Sequence, residues 1–343
     1  HYWWQAQYLD CLVDAAKRVP SKEKYRAIRQ TTRGIRIRNL TLLTKNKYYD
    51  DRAWMALALG RADAVLGASV PKKTTARLIS CLGDGRQEST GVLPWREQDL
   101  FFNVPSNGPA AIALARAGRI KEAEELIDWV YANLLADSGL LYDGIRLSMA
   151  GAVVQKGMFT YNQGVMIGAC LEVGLALRAH GQREQATKYF TRVQNLIHAV
   201  AKDLATTDNV ITGAGGGDGG LFNGILVRYL ADAAVRLPGD NRMNRAAARI
   251  ARRLVLASGE KCWYHRLEVD GLPLFPADWN DNAQFPQGGS VAQSVGGAVR
   301  GSAIKERDLS VQLSGWMLME ACARVADFVA TKLENGQSLD SPK

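Results

Sequence analysis

Apolar residues recur every three to four positions in one segment after another of this chain. From Trp3 to Arg18 the recurring positions are Trp4, Tyr8, Leu9, Leu12, Val13 and Ala16, a single stripe that predicts an amphipathic helix. Lys24 to Leu43 carries Tyr25, Ile28, Ile35, Ile37, Leu40 and Leu42 and is read as a second helix, although Gly34 and the β-branched residues weaken its propensity. Further helices are predicted from the Asp50-Asp51 pair to Ala64 and from Thr75 to Leu82. Gly83 to Asn103, which includes Gly91, Pro94 and Trp95, is read as irregular.

From Pro105 onward the pattern becomes regular. Pro105-Ser106-Asn107-Gly108 leads into the apolar run Ala110 to Arg116, a turn at Gly118-Arg119 reverses the chain, and Ile120 to Leu135 returns as a more charged helix. Phe159 to Gly164 opens a helix over Val165 to His180; Gly181-Gln182 turns it, and Arg183 to Ala201 comes back. Gly213 to Gly220 opens Leu221 to Leu230, followed after Pro238-Gly239 by Arg242 to Ser258. The last helix, Leu309 to Leu333, carries Trp316, Met317, Leu318, Ala321, Val325 and Phe328.

The repeated unit is a polar or Gly-containing loop, an apolar helix, a short turn and an amphipathic helix, with a period of roughly 50 to 60 residues. An apolar helix needs cover on every side and an amphipathic one on a single stripe, so the two kinds form an inner and an outer ring. The expected fold is all-α: one (α/α)6 barrel of helical hairpins spanning residues 1–343. In a closed ring the N-terminal ends of the inner helices share one mouth. That would gather Asp50-Asp51, Ser106-Asn107-Gly108, Tyr161 to Gly164 and Asp218 to Phe222, whereas an open solenoid would spread them along a surface.

Composition narrows the function classes. With 47% apolar and 22% charged residues and no apolar run near the ~18 of a membrane helix, a soluble globular protein without a membrane span is expected. The five cysteines are scattered, and at least three fall in apolar helical patterns. They are read as small buried hydrophobes of a reducing compartment, which points to the cytoplasm. The chain opens at His1 inside a motif and without an initiator Met, so an exported form stays open. The four histidines have no ligand spacing, so neither a metal nor any other cofactor is expected.

The 43 basic residues exceed the 34 acidic ones, a net charge of +9. They cluster at Arg26, Arg29, Arg33, Arg36 and Arg38, and again at Arg242, Arg245, Arg249, Arg252 and Arg253. The second set lies on one helix face and is read as a solvated exterior. No nucleic-acid-binding motif accompanies either set.

The candidate chemistry sits in Tyr48-Tyr49-Asp50-Asp51-Arg52-Ala53-Trp54. Two adjacent carboxylates among aromatics, at the entrance to an apolar helix, repel one another, and burial disfavours their ionisation. Helix capping and the macrodipole explain acidic residues there at little cost. Glycoside hydrolysis explains the pairing itself: it needs one ionised carboxylate to attack the sugar and one protonated carboxyl to assist the leaving oxygen.

The ordered set Tyr2-Trp3-Trp4-Gln5-Ala6, Tyr49 to Trp54, Ser106-Asn107-Gly108, Thr160 to Gly164, and Leu221 to Ile225 with Arg228-Tyr229-Leu230 resembles glycoside hydrolase family 76, the endo-α-1,6-mannanases and their fungal cell-wall relatives. The pieces span about two thirds of the chain, and Asn223 stands where some members have Lys. The resemblance implies an (α/α)6 barrel, retaining hydrolysis of α-1,6-mannan, Asp50 as nucleophile and Asp51 as acid/base. For the sugar it leaves Trp4, Trp95, Tyr161 and Phe222 as stacking candidates, with Trp54 read as core. Asn107, Asn162 and Gln163 can donate to and accept from hydroxyls or cap helices. Asp218 either holds a hydroxyl or sits in a solvated turn.

Gln287 to Ile304 is read as a mobile Gly-rich loop, and Asp278-Trp279-Asn280-Asp281 as a weaker contact site. The expected partner is an α-1,6-linked mannan or mannooligosaccharide, anionic or lipid-anchored in view of the charge, met by a monomer. Transglycosylation through the same aspartates and a non-catalytic helical-repeat binding protein are the alternatives.

Overall fold

The structure, a computed structural model, describes residues 1–40, 43–69, 72–213 and 215–336. Eleven α-helices form among them. They are α1 (Tyr2–Arg18), α2 (Lys22–Arg38), α3 (Tyr49–Val65), α4 (Lys73–Asp84), α5 (Val104–Arg116), α6 (Ile120–Leu134), α7 (Thr160–Ala179), α8 (Arg183–Asp203), α9 (Phe222–Arg236), α10 (Arg242–His265) and α11 (Leu309–Glu334). The chain divides into two compact units, one of residues 1–158 and 168–189, the other of 159–167 and 190 onward.

In the first unit α3 packs against α1, α4 and α5, α5 packs against α6, and α2 lies on α1. The burial follows the two kinds of helix read from the pattern. Every residue of α5 from Val104 to Ala115 is buried, as is most of α3, whereas α6 buries only Ala123, Leu126, Ile127, Val130 and Leu134. α2 buries just Ile28 and Ile35. It ends at Arg38, short of the expected Leu43; Leu43 starts a separate 3-10 turn, and residues 41 and 42 lie outside the described ones. In the second unit α9 packs against α10 and α11. α9 approaches α11 closely because Gly224 has no side chain: a Cβ there would stand 2.6 Å from the Ser314 Cα.

Hairpin turns fall where the sequence places them. Gly118 (φ 80°) separates α5 from α6, and Gly181 (φ 79°) separates α7 from α8; both occupy the left-handed region that glycine enters at least cost.

Seven short strands among the described residues were not foreseen. β1 (Phe101–Asn103), β2 (Gly144–Ser148) and β3 (Gly151–Gln155) form an antiparallel sheet in the order β1-β2-β3, with Phe102 opposite Ile145 and Ile145 opposite Val154. β4 (Leu267–Val269) pairs with β5 (Leu272–Leu274), and β6 (Gln293–Val295) with β7 (Ala298–Arg300). The last pair gives Gln287 to Ile304, read as a mobile Gly-rich loop, a hairpin of its own. Gly296 (φ 62°) and Gly297 (φ 93°) form a two-residue turn that matches strand twist, and so close a hairpin. No helix among the described residues is long and apolar enough to cross a membrane.

Candidate active site

The carboxylate pair opens α3, with Asp50 and Asp51 in its first turn after the N-cap Tyr48. Both are half-buried. Asp50 Oδ1 accepts the backbone N–H of Asp51 at 2.9 Å, and Asp50 Oδ2 accepts the indole N–H of Trp95 at 3.0 Å. Donors of this kind, at a helix N-terminus, favour the ionised carboxylate. Asp51 Oδ2 accepts the side-chain amide of Asn46 at 2.6 Å. The orientation of that amide is set in turn by its own oxygen, which accepts the Tyr48 N–H at 2.9 Å.

Tyr2, at the start of α1, is a further neighbour. Its hydroxyl donates to the Leu43 carbonyl at 3.2 Å, and burial first, then the charge of Asp51, pushes the phenol well up, so it keeps its proton. Neither Asn46 nor Tyr2 was singled out as a site residue. Tyr2 does lie in the Tyr2-Trp3-Trp4 motif, which was the available signal. Asn46 carried none, because its role depends on a loop conformation.

Trp95 is delivered by a braced loop. The Tyr49 N–H bonds the Trp95 carbonyl at 2.9 Å, the Trp95 N–H bonds the Phe101 carbonyl at 2.7 Å, and Arg52 pairs with Glu97. Asp99 ties the turn by accepting from Arg146 at 2.8 Å and from the Leu100 N–H at 2.8 Å. Burial alone would raise the Asp99 carboxyl, but the Arg146 guanidinium and the Leu100 N–H outweigh it and hold the group below its usual range. Tyr49, beneath the guanidinium of Arg52, fits only because residue 85 is glycine: a Cβ there would meet its ring at 2.2 Å.

Asn107 corrects the expectation of a sugar contact. It is 0% exposed, its oxygen accepts the Leu93 N–H at 2.9 Å, and its NH2 donates to the carbonyls of Leu93 and Asn103, each at 2.9 Å. A buried amide so committed clamps the approach to Trp95 and has no surface to offer a ligand. Trp4 is also buried, its ring against His1, and so packs in the core as Trp54 does.

The second unit holds its own group at the starts of α7 and α9. Tyr161 stacks on Phe222 with centroids 4.1 Å apart and planes inclined by 16°, and Phe159 lies 5.4 Å from Phe222. The rings come together because Gly164 lets α7 approach the α9 backbone: a Cβ there would stand 2.7 Å from the Leu226 Cα. Thr160 donates to Asn223 at 2.8 Å, and Asn223 in turn holds the carbonyls of Thr212 and Gly213. Tyr161 and Phe222 stay half-exposed, as a stacking surface requires.

Asn162 and Gln163 are fully buried, with the Gln163 amide bonded back to the Phe159 carbonyl at 3.1 Å, so neither offers sugar-facing surface. Asp218 does not sit in a purely solvated turn: its carboxylate accepts the Val299 N–H at 2.6 Å and anchors β7. In the 278–281 segment Trp279 is buried and Asn280 folds back onto Asp278, which makes it a packed turn.

This architecture has relatives. The family model described as "Glycosyl hydrolase family 76" matches residues 1–266. The chain belongs to glycosyl hydrolase family 76. No curated protein matches it. Among solved structures, the family 76 chain is similar to the GH76A alpha-1,6-mannanase from Salegentibacter sp. HEL1_6, at 28% identity and a TM-score of 0.77, covering 95% of this chain and 90% of that one. An inactive variant of that mannanase, with two consecutive aspartates replaced by asparagine, is in complex with alpha-1,6-mannotriose. The Lin0763 protein from Listeria innocua is similar at 25% identity and a TM-score of 0.75, covering 97% of this chain and 86% of that one. Dfg5 from Chaetomium thermophilum shares the fold at 15% identity and a TM-score of 0.65, covering 96% and 81%. The fold of this family 76 member is thus the all-α helical barrel of these relatives, as its sequence pattern led one to expect.

One prediction arises directly from the indole contact. Trp95→Phe keeps the ring but removes a donor that favours ionised Asp50. Protonation of that carboxylate would then begin at higher pH, so the acid limb of kcat/KM is expected to move up while the basic limb stays. A full pH profile of both proteins checks this; an unmoved acid limb refutes it.

Proposed function

We propose that this family 76 enzyme hydrolyses α-1,6-mannosidic linkages within a mannan chain with retention of configuration. Asp50 is the nucleophile and Asp51 the acid/base. The observation that carries the reading is the Asp50-Asp51 pair: the sequence contains one Asp-Asp dipeptide, and it stands half-buried at a helix start with a side-chain N–H donor on each carboxylate. The related mannanase made inactive at two consecutive aspartates, and still in complex with mannotriose, supports the same assignment.

In the first step an Asp50 oxygen attacks the anomeric carbon. The C1–O bond breaks, and the leaving oxygen takes the Asp51 proton, which produces a glycosyl ester. In the second, Asp51 accepts a proton from water, the hydroxyl adds to C1 and the ester bond to Asp50 breaks. Two donors on Asp50 suit an ionised nucleophile, and the charge of Asp50 beside Asp51 favours proton retention on the latter. The second unit by itself offers, in Tyr161 and Phe222, ring faces of the kind that stack on the apolar side of a sugar.

The test is NMR of the products first formed from α-1,6-mannotetraose. The α-anomer, released in internal cuts, is expected. A β-anomer means inversion, products longer than the substrate mean transglycosylation, and no turnover means a binding protein.

A further inference from the structure

The two arginine clusters are alike in sequence and differ in the structure. On α10, Arg245 bonds the Gly239 carbonyl and Arg252 turns inward and is buried, contrary to the reading of that set as wholly solvated. On α2, Lys22, Arg26, Arg29, Arg33 and Arg36 follow steps of four and three residues and form one exposed stripe, opposite the buried Ile28 and Ile35. None of these five makes an ion pair among the described residues, although basic side chains elsewhere do: Arg61 with Asp10 and Asp14, Arg116 with Glu172, Arg324 with Asp232. Glu23 is the one acid in the helix. Like charges at helical spacing weaken a helix, so the stripe is maintained against a local cost.

Two apolar side chains extend the stripe at its C-terminal end. Ile37 is 61% exposed, and Leu40, held at φ 49°, is 77% exposed. A row of cations ending in exposed aliphatic groups matches a layer of anionic headgroups over acyl chains; a polyanion without an apolar layer would leave Ile37 and Leu40 with nothing to enter.

We propose that α2 is a docking face for a membrane surface rich in anionic phospholipid, bound through the Lys22–Arg36 stripe with Ile37 and Leu40 inserted between headgroups. This goes beyond the hydrolysis reading and does not depend on it.

The experiment is co-sedimentation of the full chain with vesicles of equal parts phosphatidylglycerol and phosphatidylcholine, against phosphatidylcholine alone. Binding to the anionic vesicles only, weakening as salt rises, is expected. Arg26→Gln, Arg29→Gln, Arg33→Gln and Arg36→Gln combined should reduce the apparent affinity at least about tenfold, and four Arg→Lys changes at the same positions should restore it. Ile37→Ser with Leu40→Ser should also weaken it, with helicity by circular dichroism unchanged.

The proposal is overturned if the protein sediments with neither vesicle or equally with both, if the Gln variant binds as the parent does, or if a short duplex DNA binds where vesicles do not. Since no turnover is measured, failure here is separate from failure of the hydrolysis reading.

Discussion

Asp50→Asn and Asp51→Asn are each expected to lower kcat on α-1,6-mannotetraose by about a thousandfold or more while leaving the fold intact. The amide is nearly the same size as the carboxyl, and its oxygen still accepts from the Trp95 indole at position 50 or from the Asn46 amide at position 51. Thermal denaturation should therefore change little. The two variants differ in what they lose. Without Asp50 no glycosyl ester forms, whatever the leaving group. Without Asp51 the ester still forms when the leaving group needs no proton, so an activated aryl mannoside should restore the first step for Asp51→Asn and not for Asp50→Asn. Azide separates them further: in Asp50→Ala it attacks the substrate directly and yields the inverted mannosyl azide, and in Asp51→Ala it intercepts the ester and yields the retained one. Near-normal turnover by both Asn variants would remove the basis of the assignment, and the opposite pattern of rescue would exchange the roles.

Asn107→Ala is the largest stability change expected. The buried amide makes three hydrogen bonds, to the N–H and C=O of Leu93 and the C=O of Asn103, all at 2.9 Å. Alanine removes all three and leaves the Leu93 N–H and C=O without a partner in a fully buried setting, where each unsatisfied group costs about 1–3 kcal/mol; a total loss of about 2 kcal/mol or more follows. Urea denaturation followed by circular dichroism measures it, and a loss below about 1 kcal/mol contradicts the clamp. The effect also reaches the chemistry. Leu93 is two residues from Trp95, so a loosened loop withdraws the indole from Asp50. The folded variant should then show the same upward shift of the acid limb as Trp95→Phe. A variant that loses stability but keeps the parent pH profile would show that Asn107 steadies the fold without steadying the nucleophile.

Much of this was legible in the chain. Helix positions, the apolar and amphipathic alternation and the turns at Gly118 and Gly181 follow from interactions three or four residues apart, which a sequence states directly. The carboxylate pair was legible because adjacent acids before an apolar helix are chemically conspicuous. Polar side chains near helix starts were less legible. Asn107, Gln163 and Asp218 have the groups a sugar wants, but here those groups bond backbone, and composition does not distinguish the two uses. The three short hairpins escaped for a related reason: strands of three to five residues carry too few positions to establish a period of two.

By itself, then, the sequence determined an all-α chain of paired helices with one Asp-Asp couple at the head of α3, since these depend on local spacing. Tertiary structure alone decided that Trp95 meets Asp50 across 45 residues of chain, that Asn46 turns its amide to Asp51, and that Asp218 reaches Val299 across 81. It also decided which arginines make no ion pair among the described residues, those of α2, while on α10 Arg245 bonds the Gly239 carbonyl and Arg252 is buried. A hydrogen bond or ion pair between distant residues depends on how helices pack, and packing is a property of the whole set of contacts, written at no single position.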